Sequence, residues 1–149
     1  MRYFDDFQVG ETFETRSYLV TREEILTFAR QYDPQPFHID EEAARHSIFG
    51  GIIASGWNTA SICHRLVVEN ILGNTASMGS PGLDELRWLR PVRPGDELSV
   101  RVEVLSLAPS RSKPDRGAIK FRFEVRNQTG EPVMTEIATA LFSRRPGAS

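Results

Sequence analysis

Asp33 and His38 stand five positions apart in Asp33-Pro34-Gln35-Pro36-Phe37-His38. The two prolines stiffen the segment that joins them, so a carboxylate and an imidazole can be held side by side. Such a pair suits general acid–base work, in which one group takes a proton from an attacking water while the other delivers one. Negative charge that builds on a reacting carbonyl oxygen needs a donor already in place. The backbone N–H of Gly56, at the start of an apolar segment, is a candidate, and glycine lets a ligand approach the backbone closely. The bland alternative is that Asp33 caps a turn and His38 is a hydrogen-bonded residue at a loop junction.

Two elements must flank this loop. Thr21 is a good N-cap, Glu23 and Glu24 favour a first helical turn, and Ile25, Phe28 and Ala29 recur at helical spacing. A helix is therefore expected from about Arg22 to Gln31, stopped by the prolines. Asp40 can cap a short helix through Glu41–Arg45, which places His38 at its junction. The longest apolar segment, Ile52 to Asn70, reads as a buried central helix that ends near Leu72-Gly73-Asn74.

The remaining segments have period two. Glu11 to Val20 reads as one short strand, and Leu83 to Arg90 as another before the turn at Arg93-Pro94-Gly95-Asp96. Leu98, Val100, Val102 and Val104 alternate with polar residues, as do Ile119, Phe121, Phe123 and Val125. Val133 to Phe142 makes a final strand, and the last three strands should form an antiparallel meander with a loop over Pro109–Gly117. An apolar helix needs a sheet curved around it, so the class is α+β in a single domain over residues 1–149, fraying from Ser143.

The bulk numbers narrow the partners. The chain has 149 residues, 40% of them hydrophobic, with a net charge of -2. That suits one globular core and supplies no field for holding nucleic acid or an anionic membrane. A lone Cys63 excludes an internal disulfide and fits a reducing, cytoplasmic setting. It reads as core packing, and His64 as a partly buried helix residue or a third polar group of the site. Trp57 either lines a pocket or fills a subunit-facing core, and Trp88 reads as core. Arg111, Lys113 and Arg116 make a basic loop able to meet phosphates or simply to face solvent.

A longer pattern joins these pieces. Phe28-Ala29, Asp33-x-Gln35-Pro36-x-His38-x-Asp40, Ala43-Ala44 and Phe49-Gly50-Gly51-x-Ile53-Ala54-Ser55-Gly56 together resemble the signature of the MaoC-like (R)-specific enoyl-CoA hydratases. The stretch Leu86 to Leu98, with Arg90-Pro91-Val92-Arg93-Pro94-Gly95-Asp96, is similar to that family's strand and turn after its central helix. The chain departs from the pattern at Gln35, where Asn is common, at Tyr32, where Ser-Gly precedes the Asp, at Ser55, where His is common, and at His64, where some members carry Ser.

The resemblance implies a hot-dog fold, usually a homodimer. It puts catalytic roles on Asp33, His38 and the oxyanion glycine Gly56; substrate contacts are expected, on the chemistry of the residues themselves, from Ser55, Trp57, Arg111 and Lys113. It also implies coenzyme A or acyl-carrier thioesters as substrates, an acyl tunnel, and neither a metal nor a redox cofactor. The expected reaction is addition or removal of water across the 2,3-double bond of an acyl thioester. A hot-dog thioesterase and a non-catalytic acyl-binding subunit of a hydratase complex are the alternatives, the latter because the flanks at Tyr32, Gln35 and Ser55 are altered.

Overall fold

A computed structural model describes residues 1–148 of the chain. Its strands are β1 (Thr12–Glu14), β2 (Tyr18–Leu19), β3 (Gly82–Trp88), β4 (Glu97–Pro109), β5 (Arg116–Arg126) and β6 (Pro132–Ser143). Its helices are α1 (Arg22–Tyr32), α2 (Pro36–Ile39), α3 (Glu41–Arg45) and α4 (Gly56–Asn70). The sheet runs in the order β1-β4-β5-β6-β3 with β2 also paired to β4, and every pairing is antiparallel. This is the α+β hot-dog arrangement, a curved antiparallel sheet wrapped around the α4 helix.

Alternation decides which face of the sheet meets the helix. Along β5, Ile119, Phe121, Phe123 and Val125 are buried while Lys120, Arg122, Glu124 and Arg126 point the other way. Val100, Val102 and Val104 of β4 extend the same apolar face, and Ile62, Cys63, Leu66 and Val67 of α4 pack onto it. Leu66 is completely buried, so Leu66→Ala belongs to the class of core truncations that cost about 2–5 kcal/mol.

Several boundaries differ from the sequence expectation. The strand expected over Glu11–Val20 is broken into β1 and β2, because the Thr15 hydroxyl itself accepts the Val100 N–H at 2.9 Å and replaces a rung of the ladder. The central helix begins at Gly56 rather than Ile52. Ile53 and Ala54 instead give their N–H groups to Phe37 O and Val92 O, at 3.4 and 2.8 Å. The hairpin between β4 and β5 is tighter than the loop expected from Pro109 to Gly117, since both strands continue to its ends. The segment expected to fray from Ser143 ends β6, and Arg144 bonds Asp5 at 2.7 Å while Arg145 bonds Asp6.

Candidate active site

The end of α1 and the start of α4 meet at one carboxylate. Asp33 caps α1, its N–H reaching Ala29 O at 2.8 Å, and Pro34 prevents another helical turn. Pro36 then opens the single turn of α2, where the sequence predicts only loop; a fixed proline φ suits the first helical position. That turn carries His38 back over Asp33, so His38 Nε2 lies 3.3 Å from Asp33 Oδ2.

Each member of the pair is oriented by a further group. Gln35 Nε2 donates to Asp33 Oδ1 at 2.7 Å, and the Ser55 hydroxyl donates to Asp33 Oδ2 at 2.7 Å. Burial works to raise the Asp33 pKa, but these two hydrogen bonds and His38 outweigh it and hold the carboxyl below its ordinary value. His38 is buried, and its Nδ1 sits 2.7 Å from Ile53 O. A carbonyl only accepts, so Nδ1 carries the proton and Nε2 is the atom that faces Asp33 with an exchangeable role.

Gly56 lies against this pair. In the first turn of α4, Trp57 N–H goes to Ser55 Oγ at 3.3 Å, and the Asn58 and Thr59 N–H groups go to Ser55 O at 3.0 and 3.2 Å. The Gly56 N–H makes no hydrogen bond within the described residues. The Trp88 ring covers Gly56 and donates from Nε1 to Gly56 O at 2.9 Å. His38, Phe49, Ile53, Gly56, Trp88 and Leu89 contribute to the wall of a cavity of about 360 Å³. Among the described residues no group of three His, Cys, Asp or Glu side chains is placed to hold a metal ion.

The structure thus brings Asp33, His38, Ser55 and Gly56 together. Ser55, expected against substrate, is fully buried with its hydroxyl committed to Asp33. Trp57 is exposed, edge-on to Trp88 at 5.1 Å, and shares shallow clefts with Phe28 and Tyr32 of α1 and with Leu83 and Leu86 of β3. Arg111 and Lys113 are not brought to the pair. Their loop adjoins the Arg116↔Ser143 end of the sheet, whereas Leu89 beside the site bonds Val133 at the other end of β6, about 33 Å away at strand rise.

His64 is exposed beside Glu136, whose carboxyl is pushed up by burial, and Cys63 is a buried thiol likewise pushed up by burial. Trp88, expected in the core, is 46% exposed and roofs Gly56. Its role had no periodic signal, because it sits where β3 leaves the sheet.

The family model of the MaoC-like domain matches residues 6–122. The chain belongs to the MaoC-like dehydratase family. The domain is 33% identical over 74% of its length to a 3-hydroxybutyryl-CoA dehydratase of Methylorubrum extorquens, of which it covers 69%. It is 38% identical over 73% of its length to the uncharacterized protein YdeM of Bacillus subtilis, covering 77% of that protein. It superposes on the crystal structure of a MaoC-like dehydratase from Rhodospirillum rubrum with a TM-score of 0.90 at 46% identity, covering 97% of this chain and 98% of the other. These relatives support hydratase or dehydratase activity for the MaoC-like domain, and none of its described helices is long and apolar enough to cross a membrane.

Proposed function

We propose that the chain adds water across the 2,3-double bond of an acyl thioester, and removes it in reverse, using Asp33 and His38 with the Gly56 N–H toward the thioester oxygen. The observation that carries this reading is the Asp33–His38 contact, held from one side by Gln35 and Ser55 and from the other by the Ile53 carbonyl. The pair shares one proton between Oδ2 and Nε2. With that proton on His38, the Asp33 carboxylate takes a proton from water as the water oxygen bonds to C3. His38 delivers its own proton to C2, and transfer from Asp33 to His38 across 3.3 Å restores the pair. The free Gly56 N–H stabilises the enolate-like oxygen that forms between these events. The activity named for the Methylorubrum extorquens relative makes a coenzyme A thioester the first substrate class to offer. No step of this chemistry calls for a metal or a redox cofactor.

A homodimer is part of the same reading. β3 is an edge strand with one side unpaired, and Leu83, Trp88 and Leu89 near it are exposed together with Trp57 on α4. An unpaired edge beside exposed aromatic and aliphatic side chains suits a second copy. Antiparallel pairing of the two β3 edges reverses one sheet against the other. The partner's basic hairpin is thereby carried toward the first protomer's site, which gives Arg111 and Lys113 a route to substrate phosphates that one chain does not offer.

The test is the loss of enoyl-thioester absorbance of crotonyl-coenzyme A with intact protein, Asp33→Asn and His38→Ala. Turnover falling by about 100-fold or more in both variants supports the assignment. Thioester cleavage without hydration would instead establish the thioesterase.

A further inference from the structure

Among the described residues, two buried side-chain polar atoms lack a hydrogen-bond partner, Glu24 Oε2 and Asn58 Nδ2. Both residues line the same cavity, of about 490 Å³, between α1 and α4. Asn58 is 98% hidden from solvent, at 2% relative exposure, in the first turn of α4, where its own N–H is paired with Ser55 O. Native interiors rarely leave such atoms unsatisfied, so two in one cavity mark a place built for a partner.

The cavity also has a defined relation to the reacting pair. α1 ends on Asp33 and α4 begins after Ser55, and these residues are hydrogen-bonded, so the cleft between the two helices opens away from the pair. Tyr32 on its wall directly precedes Asp33. Asn58 lies three residues, about 4.5 Å of helix rise, beyond Ser55, and Glu24 lies about 13 Å of rise back along α1 from Asp33. Phe28, Tyr32 and Ile62 supply apolar wall near the two polar points, and the Tyr18 hydroxyl donates to the other Glu24 oxygen, Oε1, leaving Oε2 unpaired.

We infer that this cleft holds the acyl tail of the substrate and selects tails carrying a neutral hydrogen-bonding group such as a hydroxyl, which accepts from Asn58 or donates to Glu24. The inference rests on the hydratase reading for the identity of the thioester. A plain hydrocarbon tail leaves both atoms unpaired, and this is the kind of site that rejects analogues lacking the polar group. An anionic tail meets the Glu24 carboxylate, while the Arg65 guanidinium near it is held by Glu69 at 2.8 Å.

The experiment compares kcat/KM for hexenoyl-coenzyme A with that for the same thioester bearing a terminal hydroxyl, in intact protein and in Asn58→Leu. The hydroxylated substrate is expected to be favoured at least about tenfold, and Asn58→Leu to erase the ratio. Equal values in the intact protein, or a preference that survives Asn58→Leu, would overturn the inference. Should Asn58→Leu not fold, the half-buried Glu24→Gln carries the same comparison with the decenoyl pair, whose hydroxyl reaches further along α1. Turnover of neither substrate defeats the hydratase reading instead. Calorimetry with saturated hexanoyl-coenzyme A and its terminal hydroxyl derivative then decides the cleft, tighter binding of the latter only with Asn58 present supporting it and equal binding refuting it.

Discussion

Gly56→Ala should damage both folding and turnover, and the reason is a tryptophan rather than the backbone. Gly56 is not among the glycines with positive φ, so alanine suits its conformation. A Cβ placed there would stand 2.6 Å from Trp88 Cδ2 and 2.7 Å from Nε1. Carbon contacts are favourable from about 3.5 Å, so the ring must retreat by about 1 Å. Overpacking of this kind costs about 1–3 kcal/mol, and loss of the Trp88 Nε1 bond to Gly56 O adds about 1 kcal/mol. Together they predict a loss of about 2–4 kcal/mol, read from urea unfolding followed by tryptophan fluorescence. Turnover of crotonyl-coenzyme A should fall by about 100-fold as the Gly56 N–H is displaced. Removing the ring in Gly56→Ala/Trp88→Ala should recover at least about 1 kcal/mol relative to the sum of the single changes. An unfolding midpoint equal to the parent's, or strict additivity in the double variant, would refute the contact argument.

Ser55→Ala removes a hydrogen bond that holds the Asp33 pKa down, so the acid limb of the pH–rate profile should move to higher pH. Because the folded-state pKa is the lowered one, the stability that Asp33 contributes is present above its unfolded value and lost as pH falls through the folded value. In Ser55→Ala the folded value moves up toward the unfolded one, so this contribution is smaller and its loss is complete at higher pH, and an unchanged profile would contradict the assignment. Leu83→Asp on the β3 edge should convert a dimer to monomer in sedimentation velocity, and an unchanged boundary would remove β3 as the interface. Charge reversal at Arg111 and Lys113 should raise KM for a coenzyme A substrate most strongly at low salt, and no change across salt concentrations would leave that loop without a phosphate role.

What could be read from the sequence was whatever repeats or caps. The alternating residues of β4, β5 and β6 and the Thr21 cap of α1 carry their own signal, whereas the Asp33–His38 pair was legible through the resemblance to the MaoC-like signature, the proline-stiffened spacing alone leaving a turn cap and a junction histidine open. Local chemistry that competes with the ladder was not legible, as at Thr15, whose hydroxyl interrupts the first strand. The start of α4 was misplaced because Ile52–Ala54 are apolar enough to continue a helix, yet their backbone groups are used by Phe37 and Val92. Ser55 and Trp88 acquire their roles only through partners 22 and 32 positions away, a separation no local pattern reports. Asn58 left no trace either, since Thr59 and Ser61 make the start of α4 polar around it.

The lowered pKa of Asp33 has a consequence for where the rate must come from. The donors from Gln35 and Ser55 that keep the carboxylate ionised also make it a weaker proton acceptor than a free carboxylate. By the Brønsted relation such a base surrenders part of its driving force. The compensation is effective molarity: a carboxylate fixed at both oxygens before substrate arrives loses little further freedom when water and C3 are aligned against it. Asp33 therefore works by being charged and in place before substrate arrives, and a looser, more basic carboxylate at the same position should be the slower catalyst.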